Sequence, residues 1–157
     1  MNDLEIIEKA RTLLGEKALE VTNPAVRRIF IRVDPAHLLE AINALKEDLG
    51  FSYVSTISGV DLGESFELLY HFANEYTQLN VRTSIPKSHA HVESICPVIP
   101  GAILYEREIQ DMFGLVVDHI PDPRPLIVPD DWPAGNYPLC KDWKFERPPE
   151  KIPGGKS

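Results

Sequence analysis

Glu108 and Asp111 stand three positions apart in the run Glu106-Arg107-Glu108-Ile109-Gln110-Asp111-Met112-Phe113-Gly114. On a helix that spacing sets two carboxylates side by side, where they repel unless a cation accompanies them. Such a pair offers acid–base chemistry with one raised pKa, or metal ligation with help from His119. A self-contained soluble enzyme built on these residues lacks a convergent nucleophile or ligand cluster in the sequence. The competing reading is structural. Arg107 and Asp111 are four apart and can pair, and Glu106 points to a different side. The group then forms an ionic network that fixes a turn of the following tail or holds the basic groups of a partner.

The remaining reactive side chains are scattered. Cys96 and Cys140 lack the Cys-x-x-Cys or companion-histidine spacing of iron-sulfur and zinc sites, so each reads as a small buried apolar residue. His89 and His91 share one face of a strand but have no third ligand nearby in sequence; with His37, His71 and His119 they read as surface or core histidines. The nine glycines form neither a dinucleotide fingerprint nor a phosphate loop.

Composition narrows the function class. At 157 residues, 43% hydrophobic and 25% charged, the chain has room for one domain with one core. A net charge of -8 argues against a nucleic-acid surface, which needs clustered Lys and Arg. No window reaches the roughly 18–20 apolar residues of a membrane helix. The first residues lack the basic and apolar regions of a secretory signal, which points to the cytoplasm.

The elements that must position the charged run follow from periodicity. Asp3 to Leu14 carries Leu4, Ile7, Ala10 and Leu14 at helical spacing and ends at Gly15. Arg28 to Val33 alternates as a strand; Asp34 and Pro35 then open a helix with Leu38, Ile42, Leu45 and Leu49 on one face and Gly50 as its stop. Strands over Phe51 to Val60, Phe66 to Ala73 and Thr77 to Ile85 are joined by short turns and form an antiparallel meander, one face under helices and the other wetter. A short helix is expected over Ser88 to Ile95. A longer one over Ile103 to Phe113 carries the charged run, with Ala102, Tyr105, Ile109 and Met112 as its apolar stripe. The class is α+β with a mostly antiparallel sheet.

From Ile120 onward the pattern changes, with nine of the fourteen prolines in the last 38 residues. Proline removes donors and fixes φ, so this stretch is extended. It is interleaved with Leu126, Ile127, Val128, Trp132, Tyr137, Leu139, Trp143 and Phe145, too apolar for a solvated linker. The expected organisation is an α+β domain over 1–118 and an extended tail over 119–157. The tail either docks on another protein or wraps this domain's own sheet, and composition leaves both open.

Glu106-Arg107-Glu108, Asp111-Met112-Phe113-Gly114, Pro121-Asp122-x-Arg124, Pro129-Asp130-Asp131-Trp132 and Pro138-Leu139-x-Lys141-Asp142 together resemble the 30 kDa subunit family of respiratory complex I and its hydrogenase relatives. The resemblance covers roughly Ala102 to Trp143. The wording of 123–126 and 131–139 looks more like the corresponding subunits of energy-converting membrane-bound nickel-iron hydrogenases than like those of NADH dehydrogenases. Two departures stand out: the family histidine falls on Ile120, so His119 does not inherit its role, and the family arginine before Lys141 is Cys140.

The resemblance implies a non-catalytic, cofactor-free subunit of the peripheral arm, on the cytoplasmic face of the cell membrane. It implies docking onto a large hydrogenase-type subunit and a small iron-sulfur subunit, and only indirect contact with the membrane arm. Iron-sulfur clusters, and in the hydrogenase branch a nickel-iron centre, would belong to those partners. The implied subunit contacts are Glu106, Arg107, Glu108, Asp111, Met112, Phe113, Gly114, Pro121, Asp122, Arg124, Trp132, Pro138, Leu139, Lys141 and Asp142. The 30 kDa subunit of an NADH- or other donor:quinone oxidoreductase is the alternative branch, and an adaptor for another cytoplasmic complex a third reading.

Overall fold

The computed structural model describes residues 1–144; the part of the expected tail beyond Lys144, Phe145 included, lies outside the described residues. Helix α1 (Asp3–Leu14) opens on a capping box in which Asn2 and Glu5 satisfy each other's backbone donors, and it buries Ile6, Ile7, Ala10 and Leu14. Leu4, expected on the buried stripe, faces out because the stripe runs through Ile6 instead. Asp34 accepts a hydrogen bond from the Ala36 amide at 2.9 Å and starts a single 3-10 turn, Pro35–His37. Helix α2 (Leu38–Leu49) continues from it and ends at Gly50, which takes the left-handed conformation (φ 74°).

Five strands form one sheet in the order β1-β2-β5-β4-β3: β1 (Ala18–Ala25), β2 (Arg28–Val33), β3 (Val54–Asp61), β4 (Ser65–Ala73) and β5 (Gln78–Pro86). The meander β3-β4-β5 is antiparallel as expected. The chain between β2 and β3 contains α2, which carries it to the far edge, and the meander returns β5 to lie parallel beside β2. The sheet is thus mixed but mostly antiparallel. Strand β1 had no signal in the sequence: it is an edge strand with an almost wholly exposed pattern and contains Pro24.

Ile29, Ile31, Leu68, Tyr70, Phe72, Leu79, Val81 and Ile85 meet the helices on one sheet face. The other face carries polar side chains. Arg82 bridges to Glu67 at 2.7 Å, and His71 lies between Ser58 (3.0 Å) and Asn80 (2.6 Å).

The helix expected over Ser88 to Ile95 is absent. Lys87–His89 is one 3-10 turn, and β6 (His91–Glu93) pairs in parallel with β7 (Val116–Asp118). The long-range pairing decides this segment, and local periodicity could not register it. Helix α3 (Ile103–Phe113) matches its expected bounds, follows the turn Pro100–Ala102, and packs on β3. Gly59 of β3 makes that packing close: a Cβ there would come within 2.4 Å of the Phe113 ring.

Candidate docking site at the end of helix α3

The buried stripe of α3 is Glu106, Ile109 and Phe113 following Ala102, with Tyr105 and Met112 only partly buried. Glu106, expected off to one side of the ionic group, is therefore the charged member of the core, 2% exposed. Its carboxylate accepts from the Ile95 amide and the Ser94 hydroxyl, both at 2.7 Å, and from the Cys96 thiol at 3.2 Å. Those three donors lie in the turn after β6, so Glu106 staples that turn to α3. Burial pushes its carboxyl above the ordinary carboxylate value, against the pull of its donors. Burial likewise pushes the Cys96 thiol up to about 11.

Arg107 and Asp111 do not pair with each other. Arg107 donates from Nε to the Arg124 carbonyl (2.7 Å) and from Nη2 to the Pro125 carbonyl (2.9 Å), and Nη1 lies 3.4 Å from the Asp122 carboxylate. One Oδ atom of Asp111 accepts from the amides of Leu126 and Ile127, both at 2.8 Å, with Val128 at 3.4 Å. A cation and an anion one helical turn apart thus capture successive carbonyls and amides of one tail segment. The expected ionic group is therefore not a network of its own members: Arg107 and Asp111 hold the tail backbone, and the ion pair of Arg107 is with Asp122. Asp122 is bonded to Arg124, and with Arg107 also beside it the Asp122 carboxyl is held well below its ordinary value.

The tail continues across the end of the helix. Gly114 is left-handed (φ 72°), and a Cβ there would strike the Tyr137 ring at 2.3 Å. The Leu139 amide donates to the Met112 carbonyl (3.0 Å), and the Cys140 thiol reaches the Phe113 carbonyl (3.4 Å). Trp132 donates to the Asn136 carbonyl and approaches the Trp143 ring. Asp61, at the end of β3 and missed in the sequence, anchors the far end by accepting from the Gly63 amide, the Lys87 ammonium and the Lys141 amide, each at 2.8 Å. The Lys87 bond and the two amides hold the Asp61 carboxyl down at about 2. Its only sequence signal was a turn aspartate preceding Gly63.

Residues 119–144 contain no helix or strand, as their prolines dictate. They lie against this chain's own α3 and against Asp61 at the end of β3. Ile120, Val128, Trp132 and Cys140 are partly buried, whereas Leu126, Ile127, Tyr137 and Leu139 are exposed, Ile127 by 55% and Leu139 by 54%, as is Leu104 of α3 by 52%. Pro121, Pro138, Lys141 and Asp142 lie within this stretch, Pro138 half-buried and the others exposed. Glu108 is exposed. His119 is bonded to Glu93 at 2.8 Å, so the structure does not bring Glu108, Asp111 and His119 together. Among the described residues, the one close group of three ligand-type side chains is Asp61, Cys140 and Asp142, with the Lys87 ammonium already on Asp61.

The end of α3 thus spends its charges on peptide groups of the chain's own tail, and Leu126, Ile127 and Leu139 of that tail stay exposed. The chain belongs to the family described as respiratory-chain NADH dehydrogenase, 30 Kd subunit, whose model matches residues 31–149. It is 28% identical to the C-subunit of NADH-quinone oxidoreductase from Nocardioides sp. over 96% of this chain and 64% of that protein, so it spans about two thirds of that relative's length. It is 31% identical to the C-subunit of F(420)H(2) dehydrogenase from Methanosarcina mazei over 92% of this chain and 93% of the relative. It is 42% identical to formate hydrogenlyase subunit 5 of Escherichia coli over 64 residues, 41% of this chain and 11% of that one. Its fold superposes on a chain of the membrane-bound sulfane sulfur reductase, an archaeal respiratory membrane complex, with a TM-score of 0.81 at 24% identity, covering 95% of this chain and 98% of that one. No described helix is long and apolar enough to cross a membrane.

Proposed function

We propose that this chain is a cofactor-free hydrophilic subunit in the peripheral arm of a complex I-related, ion-translocating membrane oxidoreductase. It sits on the cytoplasmic face of the cell membrane through the complex. Its outward tail face docks onto the large catalytic-type subunit and the small iron-sulfur subunit, which hold the clusters and, in the hydrogenase branch, the nickel-iron centre. The observation that carries this reading is the Arg107–Asp111 clamp, which fixes the tail backbone while leaving Leu126 and Ile127 exposed. Fixing the backbone beforehand removes part of the ordering entropy that a free tail would lose on binding. Glu106 serves within the chain, by holding the fold behind the surface, and Arg107 and Asp111 serve by presenting the tail.

The wording of residues 123–126 and 131–139, with the short similarity to formate hydrogenlyase subunit 5, favours an energy-converting nickel-iron hydrogenase. The similarity over 96% of the chain to the C-subunit of NADH-quinone oxidoreductase favours the alternative, a donor:quinone oxidoreductase subunit. Gentle detergent purification through an N-terminal tag, with mass spectrometry and metal analysis of the co-eluting chains, separates them. Nickel and iron in a large cysteine-bearing partner support the hydrogenase branch, and iron without nickel the other. A metal-free single chain, also obtained from crosslinked cells, overturns the proposal.

A further inference from the structure

The sheet ends on two edge strands that differ in how they are finished. β1 carries Glu20 and Pro24 and is irregular twice, between Ala18 and Glu20 and between Thr22 and Ala25. Charge, proline and bulges are the means by which an edge is closed to further pairing. β3, the last strand at the other end among the described residues, is not closed in this way. No charged residue and no proline occurs from Phe51 through Val60, and the one irregularity, between Val54 and Thr56, lies at the start of the strand. The Leu62 amide donates to the Ser65 carbonyl at 2.9 Å across the β3–β4 turn. Bonded and non-bonded pairs alternate along an antiparallel ladder, so Val60, Ser58 and Thr56 turn their peptide groups to β4, opposite Glu67, Leu69 and His71, while Ile57 and Gly59 turn theirs outward.

We propose that the large subunit adds a strand to β3: an extended, uncharged, proline-free segment of that partner pairs with the outward peptide groups of Ile57 and Gly59 and lengthens the sheet. The proposal rests on the function proposed above, since its occupant is the partner that also covers the tail. Peptide groups spaced along a strand edge are matched by another extended backbone, which brings its own donors and acceptors at the same interval. The absence of charge from Phe51 through Val60 selects an uncharged occupant, because a charged one would shed its water with nothing to replace it. Exposed apolar side chains mark both ends of the same edge: Tyr53 just before β3 (65% exposed), Val60 within it (41%) and Leu62 just after it (53%). The edge is also continuous with the tail, because Asp61 at its end holds the Lys141 amide at 2.8 Å. One partner can therefore cover both.

Hydrogen–deuterium exchange, read by mass spectrometry at residue resolution, compares the full chain alone with the detergent-purified complex. In the free chain the Ile57 and Gly59 amides should exchange at least about tenfold faster than those of Ser58 and Val60, and in the complex they should slow to that inner rate. A benzoylphenylalanine replacing Val60 should photo-crosslink, in the complex, to one uncharged, proline-free segment of the large subunit. Ile57 and Gly59 amides that stay fast in the complex overturn the strand addition, while the tail contact stands if Leu126 and Ile127 gain protection in the same sample. Amides already slow in a free chain that sediments as a dimer, or crosslinks to a second copy of this chain, overturn it in favour of self-pairing. A chain that forms no complex overturns the strand addition and the proposed function together.

Discussion

Arg107 and Asp111 grip the same run of tail backbone with opposite polarity, the guanidinium on the carbonyls of 124 and 125 and the carboxylate on the amides of 126 to 128. The two side chains are coupled through the peptide between them rather than through a direct ion pair.

Removing either prong should therefore weaken the other. Asp111→Ala and Arg107→Ala should each cost about 1–3 kcal/mol at this segment, and the double variant should cost less than the sum by at least about 0.5 kcal/mol. Hydrogen exchange at the Leu126 and Ile127 amides measures it directly. Arg107→Lys should behave like the alanine variant, because an ammonium cannot span two carbonyls and a carboxylate with a planar fork.

Asp61 and Glu106 should give opposite pH slopes. The Asp61 carboxyl is lowered in the fold, so its contribution is fully present above its ordinary value of 3.8 and is lost as pH falls toward about 2; Asp61→Asn should remove that acid-side slope. The Glu106 carboxyl is raised by burial, so the folded chain holds that proton more tightly than the unfolded one. Its contribution is greatest below 4.5 and declines as pH rises through the folded-state value, a slope absent from Glu106→Gln. Denaturant unfolding across pH reads both.

Glu106→Ala should be the most damaging single change in the charged run. It strands the Ile95 amide and the Ser94 hydroxyl in the core, at about 1–3 kcal/mol each. Chemical denaturation should show a loss well beyond that of Glu108→Ala, whose exposed side chain should change stability by less than about 0.5 kcal/mol.

Gly59→Ala should displace the Phe113 ring and destabilise the chain by about 1–3 kcal/mol. In a Phe113→Leu background the same substitution should cost less, which a double-mutant cycle in urea would register.

The two thiols should report different depths of the structure. Cys96 is buried and its thiol is pushed up to about 11, so it should resist alkylation until global unfolding. Cys140 lies half-buried in the tail at the Phe113 carbonyl and should react sooner in Asp61→Asn, where the Lys141 amide loses its acceptor.

Periodicity made α1, α2, the meander and both bounds of α3 legible, because each is a local pattern with a local stop such as Gly50 or Gly114. β1 and β6 were not legible: β6 takes its strand character from β7, distant in sequence, and β1, though paired with its neighbour β2, is an exposed edge with no buried face to alternate. At the site, the spacing of Arg107 and Asp111 indicated an ionic pair and the correct neighbourhood. Their real partners are backbone groups, which carry no side-chain signature. Glu106 was read as pointing to a different side from the ionic group, and its three donors are known only once the turn after β6 is placed.

The parallel pairing of β2 with β5 sets an order on synthesis. Ile29 finds its neighbour Leu79 only after fifty further residues have left the ribosome. Until then the β1–β2 ribbon and α2 emerge with a bare, apolar strand edge, and local contacts cannot close it. The nascent chain is thus committed late, when β5 slots into the middle of the sheet, and α3 and its tail can seal only onto a sheet already complete. A chain ended before residue 78 would hold four of the five strands as two separate pairs, with the β2 and β4 edges that flank β5 both left open.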